Sequence, residues 1–344
     1  MPLLKTNIVL FFFLAIATFA SLSWVNRYQQ IGPDLLTSHW TTTAFGGNRV
    51  DISDNEITLF STNPRAIALA QQSLAEFKNG SVLLFSAEMK SNNVVSGRKP
   101  WNRARLILVQ NDGKKDRWNF PLTVTTLKGT HDWENYQNFF YITPETQSIR
   151  VIAELNQSTG FFQLRNMQLF PVHETKMYWW IKNIILISWS AFFILLIGSC
   201  LFAEKRSMIF QILLASAFIA IVIGTSLPGY MKTFLVYEVE TQIDEISPTF
   251  TDIVPWDLTK VWHACIFFLL GMALSLMMKK VPLTQVMVII MMMAGGTEIM
   301  QLYIDGRTPL ISDFFIDSGG GLVGTLLIKP FIKNKPELAL HNSS

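Results

Sequence analysis

Cysteine is nearly absent, with two in 344 residues. Cys200 and Cys265 fall inside apolar runs near opposite faces of the membrane those runs would cross, so neither a disulfide framework nor a metal site can be assembled from them. Charge is scarce too: Asp, Glu, Lys and Arg make up 15% of the chain against 50% hydrophobic residues, with a mean hydropathy of +0.30. That balance excludes a chain that is soluble throughout. The basic residues form no patch with interleaved aromatics, which excludes nucleic acid as a partner. A nucleophile elbow, an HExxH pair and a phosphate loop are also missing, so no metal or cofactor is expected and no catalytic residue can be assigned.

The apolarity that is present is clumped. Six nearly uncharged runs, Ile8–Val25, Ile184–Phe202, Met208–Leu227, Val261–Met278, Val286–Tyr303 and Leu310–Ile328, have the length of helices that cross a hydrocarbon core of about 30 Å. Lys5, Lys205 with Arg206, Lys279 with Lys280, and Lys329, Lys333 and Lys335 flank ends that share one side if the spans alternate. The positive-inside rule makes that side cytoplasmic. The connector 228–260 holds Glu238, Glu240, Asp244, Glu245, Asp252 and Asp257 against Lys232 and Lys260, and belongs outside. The expected fold is a polytopic α-helical protein of the plasma membrane, with both termini inside and an extracytoplasmic β-sandwich inserted after the first span. Its divisions are an anchor at 1–30, the sandwich at 31–175, a transmembrane bundle at 176–333 and a cytoplasmic tail at 334–344, expected to be disordered. Lys5, the first apolar run and small residues near Ala20 also fit a cleaved signal peptide, and either reading exports the inserted domain.

Within that domain SVLLFSAEMK, ARLILVQ, WNFPLTVTTL, NFFYIT, SIRVIAEL and FFQLRNMQLF alternate as half-buried strands do, and NDGKKD at 111–116 joins two of them as a hairpin. The Ala-rich stretch 64–77 reads as a helix by propensity. The turn Gly129-Thr130-His131-Asp132-Trp133-x-x-Tyr136 and the final strand STGFFQLRNMQLF resemble those of jelly-roll carbohydrate-binding modules of the galactose-binding-like class, over residues 45–172. The resemblance implies sugar binding by aromatic rings with polar partners, for which Trp101, Trp118, Trp133 and Tyr136 supply the residue types. Trp133 and Tyr136 equally fit a structural corner, and the other tryptophans a core.

The apolar runs near the C-terminus carry charge at one end. Lys260 and His263 open the fourth span, and Glu298 and Gln301 share a face at the outer end of the fifth. Arg307 lies in the short loop that follows, while Asp313, Asp317, Gly320 and Gly324 form one stripe on the sixth. Each charge at mid-bilayer costs on the order of 2.5–3.5 kcal/mol, so such groups are expected to face one another or a watery cavity. The order Lys260-x-x-His263, Glu298-x-x-Gln301, Arg307, Asp313-x-x-x-Asp317-x-x-Gly320-x-x-x-Gly324 resembles the VanZ-like family of membrane proteins, named for teicoplanin resistance. Thr259 stands where that family usually has Asp, with Asp257 nearby, and Asp317 where it usually has Asn. The resemblance implies no particular reaction.

Two functional readings follow. One is an envelope protein, in glycopeptide resistance or as a polysaccharide-biogenesis accessory, that recognises a lipid-linked sugar, a peptidoglycan precursor or a surface polysaccharide at the outer face of the bilayer. The other is an intramembrane enzyme acting on a polyprenyl phosphate or glycolipid, with His263 or Glu298 as general base and Arg307 holding a phosphate. A third possibility is that the polar cluster only fixes helix packing.

Overall fold

The computed structural model describes residues 3–53, 55–99, 101–118, 123–204, 207–229, 231–232, 235 and 258–333. The acidic part of the connector, Glu238 through Asp257, together with Lys205, Arg206, Lys335 and the tail 334–344, lies outside the described residues. The chain divides into a helical unit, Met1–Val25 with Lys176–Ser344, and a β unit, Asn26–Thr175.

The helical unit contains α1 (Leu3–Trp24), α2 (Lys176–Leu201), α3 (Met208–Ser226), α4 (Leu258–Met277), α5 (Leu283–Gln301) and α6 (Ile311–Lys333). Among the described residues six helices are long and apolar enough to cross a membrane. By length and composition these helices fit a multi-pass membrane protein.

Small and polar side chains set the helix neighbours. α1 and α2 run antiparallel, because Asn7 Nδ2 donates to Ser199 Oγ at 3.1 Å near one end and Trp189 Nε1 donates to Thr18 Oγ1 at 3.0 Å toward the other. Trp189 is fully buried, and Gly296 of α5 packs against it so closely that a Cβ there would lie 2.9 Å from the indole. α4 and α6 touch backbone to backbone. A Cβ on Gly320 would sit 2.5 Å from the Ala264 carbonyl oxygen, and one on Gly324 would overlap the Phe268 carbonyl. Thr325 Oγ1 also donates to the Gly271 carbonyl at 3.4 Å. The residue pairs 264/320, 268/324 and 271/325 advance together, so α4 and α6 are parallel. α5 runs against both, since Glu298 lies near Leu310 while Ile290 meets Gly321. In lipid, where apolar contact alone gives helices little reason to associate, close approach at small residues is a main source of affinity.

The β unit has two sheets. One follows the order β3 (Arg49–Ser53), β4 (Glu56–Ser61), β11 (Thr159–Glu174), β6 (Val82–Val95), β9 (Gly129–Tyr141), with β1 (Tyr28–Gln30) also on β11. The other follows β2 (Thr41–Ala44), β5 (Ile67–Ser73), β10 (Ser148–Asn156), β7 (Ala104–Asn111), β8 (Thr123–Leu127). Alternate residues of both sheets, such as Leu59, Phe85, Phe162 and Leu164 from the first and Leu106, Leu108, Val151 and Leu155 from the second, share one buried core. The unit is thus sandwich-like.

The helix expected over 64–77 does not form; β5 occupies that stretch, paired with β10 from Ile67↔Asn156 to Ser73↔Arg150. Ala68 and Ala70 are there as small inward residues with no exposed area, and tertiary pairing outweighs alanine's modest helix preference. The turn expected across Gly129–Tyr136 is instead the opening of β9, and only Gly129, at φ 77°, is bent into the left-handed region. The NDGKKD hairpin does form: Asn111 bridges Asp116, and Gly113 takes a φ of 86°. The expected strand start at 119–122 lies outside the described residues.

Candidate functional site

The glycine contacts that bring α4 against α6 also bring His263 to Asp317. His263 Nδ1 lies 3.2 Å from Asp317 Oδ1, with both side chains buried and Asp317 fully enclosed. One α6 turn before, Asp313 is half-buried and accepts from Ser312 Oγ at 3.2 Å. From α5, Glu298 reaches across to the start of α6, where its Oε2 accepts the Leu310 amide at 2.8 Å. A carboxylate there complements the positive end of the helix dipole. Glu298 is also within electrostatic range of Asp313, Asp317 and His263, and Arg307 within range of Glu298 and Asp313. All seven residues singled out from the sequence therefore occupy the same end of α4, α5 and α6. Lys260 stands one turn before His263 on α4, half-buried.

Four unmade hydrogen bonds fall on the segment from Glu298 to Ser318. Glu298 Oε1, Gln301 Nε2, Arg307 Nη1 and Ser318 Oγ are all buried without a partner. Glu298 keeps 6% and Gln301 3% of its surface exposed. Leaving a buried polar atom unpaired costs about 1–3 kcal/mol, more when the group is charged. Several such atoms at one place mark a position that something else satisfies. Among the described residues no set of three or more His, Cys, Asp or Glu side chains could hold a metal ion.

The loop carrying Arg307 is held from three sides. Ser21 Oγ of α1 and the Tyr303 hydroxyl lie 2.7 Å apart, and Tyr178 of α2 stacks on the Tyr303 ring at 5.5 Å. Lys182 Nζ pairs with Asp305 at 2.8 Å, and Gly229 N donates to the Asp305 carbonyl at 2.7 Å. Gly306, at φ 68°, makes the bend, and a Cβ on Gly229 would strike its carbonyl. None of Ser21, Tyr178, Lys182, Tyr303 and Asp305 was picked out from the sequence. The available signal was faint: a serine late in the first span, and aromatic and charged residues at span ends.

The four aromatic candidates of the β unit do not share a face. Trp101 and Trp118 are exposed at opposite ends of β7, with Lys99 Nζ 4.9 Å from the Trp101 ring centre. Trp133 lies on the outer face of the β9 sheet beneath the Arg165 guanidinium, 4.2 Å from the ring centre. Tyr136, one of the partly buried residues at the core edge, donates its hydroxyl to Glu134 at 2.6 Å, which pushes the phenol up to about 12. Arg165 is in turn fixed by Glu88 at 2.7 Å, and Lys90 pairs with Asp132 at 2.9 Å.

Residues 226–333 match the VanZ/LLP1 family model, so this part of the chain is a VanZ-like domain. Comparison with curated proteins finds no match. Among solved structures, the N-terminal part of the chain is similar to the CBM22-1 xylan-binding domain of Paenibacillus barcinonensis Xyn10C, at 17% identity and a TM-score of 0.29, over 43% of this chain and 99% of that one. It is similar as well to the family 11 carbohydrate-binding module of Clostridium thermocellum, at 16% identity and a TM-score of 0.29, over 44% of this chain and 99% of the module. The enzymatically active domain of bacteriophage CBA120 tailspike protein 4 matches at 11% identity and a TM-score of 0.29, over 38% of this chain, and the chain spans only 19% of that structure.

Proposed function

We propose that this chain is a cell-envelope membrane protein that recognises the polar end of an envelope glycoconjugate, a lipid-linked sugar, cell-wall precursor or surface polysaccharide, at the outer face of the plasma membrane. The observation that carries the reading is the set of buried, unpartnered atoms on Glu298, Gln301, Arg307 and Ser318 beside the His263–Asp317 pair. Polar groups of this kind survive in a membrane helix bundle when they face a ligand or a watery cavity. In this reading both termini are cytoplasmic and the β unit is extracytoplasmic. The end of the helical unit that holds Tyr303 is also the end where α1 finishes and α2 begins. The β unit then contributes sugar affinity of its own, with Trp133 or the exposed Trp101 and Trp118 as stacking rings.

Topology is tested in intact cells with a membrane-impermeant maleimide, in a background where Cys200 and Cys265 are replaced by serine. Ser312→Cys, at the site end, is expected to label from outside, and Lys279→Cys, beyond the other end of α4, only after lysis. The opposite pattern would place the site in the cytoplasm and remove the reading.

A second reading, an intramembrane hydrolase or transferase, draws support from the His263–Asp317 contact, since a histidine oriented by a carboxylate can take a proton. The two separate under mass spectrometry of lipid-linked sugars incubated with purified protein. Recognition predicts stabilisation of the protein with no new product, and loss of both in the Arg307→Ala variant would not distinguish them.

A further inference from the structure

The unpartnered atoms at the site end do more than mark a pocket, because each has a fixed hydrogen-bonding sense. Gln301 Nε2 and Arg307 Nη1 can only donate. In its ionised form Glu298 Oε1 can only accept, its sister oxygen being already engaged by the Leu310 amide. A group bound there would offer acceptors to the guanidinium and the amide and a donor to ionised Glu298. Among the described residues no ion pair engages Arg307, and Glu298 and Asp313 act on its charge at longer range.

We infer that this site takes a phosphate ester next to a hydroxyl or amide donor, the arrangement at the phosphate–sugar junction of a lipid-linked glycan, with Arg307 and Gln301 binding the phosphate oxygens and Glu298 accepting from the neighbouring donor. The inference rests on the recognition reading above and adds the class of ligand and the part each residue plays. Three features favour phosphate over a neutral sugar alone. Arginine presents several N–H groups in one plane and gains most from an anionic acceptor. Glu298 Oε2 is taken by the Leu310 amide and Arg307 Nη1 has no acceptor among the described residues, which leaves the guanidinium N–H for another acceptor. The bonds in question form at the end of apolar helices, where a lipid-borne headgroup is delivered by its own tail.

The test uses the full chain in nanodiscs of neutral phosphatidylcholine and four probes: farnesyl phosphate, farnesol, dodecyl maltoside and inorganic phosphate. Binding is read by native mass spectrometry and by the shift in thermal unfolding. The expected result is that farnesyl phosphate binds at least about tenfold more tightly than farnesol. Arg307→Ala is expected to weaken farnesyl phosphate binding by roughly 10- to 100-fold, the usual effect of removing a hydrogen bond to a charged group. Gln301→Ala is expected to weaken it by about 2- to 10-fold, as for a neutral donor. If inorganic phosphate competes as well as farnesyl phosphate, the phosphate class stands and the lipid tether is not what delivers it. Equal binding of farnesyl phosphate and farnesol, or affinity untouched by both Arg307→Ala and Gln301→Ala in folded protein, overturns the inference. In that event, stabilisation by dodecyl maltoside that depends on Glu298 would leave the recognition reading standing, whereas silence from all four probes would end both. Should Arg307→Ala fail to fold, Arg307→Lys and Gln301→Ala carry the same test, because lysine keeps the charge while losing the planar donor set.

Discussion

In the β unit the half-buried Arg105 meets the buried Glu154 across the β7–β10 pairing, whereas in the helical unit the buried Glu298 and the half-buried Arg307 lie at one end of the bundle with no ion pair between them among the described residues. The β unit also leaves buried atoms unpaired, on Asn48, Asn102, Arg103 and Ser158, and the two asparagines are tied by their other atom, as Glu298 is. Asn48 Oδ1 accepts the Thr62 amide at 3.2 Å, and Asn102 Nδ2 donates to Gln157 at 3.1 Å. The contrast separates polar groups that hold a fold from polar groups that the fold holds in readiness. A buried charged pair is part of the folding free energy, because removing one member strands the other. A buried group with no internal partner adds nothing to folding and lowers the stability of the empty protein.

The contrast can be broken most directly at the pair. Glu154→Ala should destabilise the β unit by about 3–5 kcal/mol, since it leaves Arg105 half-buried and uncompensated. Replacing both, as Arg105→Met with Glu154→Leu, should recover most of that loss. Denaturant unfolding of the single and double variants decides it, and a single-variant loss below about 1 kcal/mol would mean water reaches the pair.

In the helical unit the larger effect belongs to the glycine contact. Gly324→Val puts a branched side chain where the Phe268 carbonyl already lies, and should lower stability by about 3 kcal/mol or prevent assembly. Since that contact also sets His263 against Asp317, folded survivors should lose ligand-induced stabilisation as well. By contrast Glu298→Gln should leave the ligand-free protein within about 1 kcal/mol of the parent in thermal unfolding, because glutamine keeps an acceptor for the Leu310 amide and no ion pair is lost. A large destabilisation by Glu298→Gln would assign the cluster to packing and erase the difference between the two units.

How much of this could be read from residues alone differs between the units for a physical reason. Six apolar runs and a charged stripe are period and composition, which survive without coordinates, and the spacing of Gly320 and Gly324 already implied a close helix neighbour. Which helix that neighbour is, and hence that His263 meets Asp317, depends on pairing across 54 residues of chain, which no local pattern encodes. The β unit was harder to read. Ala68 and Ala70 look helical until β10 lies beside them, and β9 carries so many exposed residues from Thr130 to Gln137 that alternation is weak and only its end, NFFY, reads as a strand. The roles of Tyr303 and Asp305 are not legible locally because their partners lie on α1 and α2, far away in sequence.

The smallest expected effect tests the comparison from the β side, where polar groups are paired even in exposed turns. In the β7–β8 hairpin the Asp112 carboxylate accepts the Lys115 and Lys114 amides, both at 2.9 Å, and the Arg117 guanidinium at 3.3 Å. These bonds favour the ionised form and hold its pKa at about 2, below the usual 3.8. Because the folded value is the lower one, the contribution is fully present above the unfolded value and is lost as pH falls from 3.8 toward about 2. Glu88 and Asp132 are shifted down too, by Asn166 and Arg165 and by Lys90 and the Trp133 amide, so acid weakens several sites together and a variant is needed to isolate one. Asp112→Asn keeps the shape and one acceptor while removing the charge. Amide exchange across residues 111–117, compared between parent and variant at each pH so that the intrinsic rate cancels, should show extra protection in the parent above 3.8 that disappears near 2. A difference that persists unchanged to pH 2 would show that the turn is held by its backbone shape, with Gly113 in the left-handed region, and owes nothing to the carboxylate's charge.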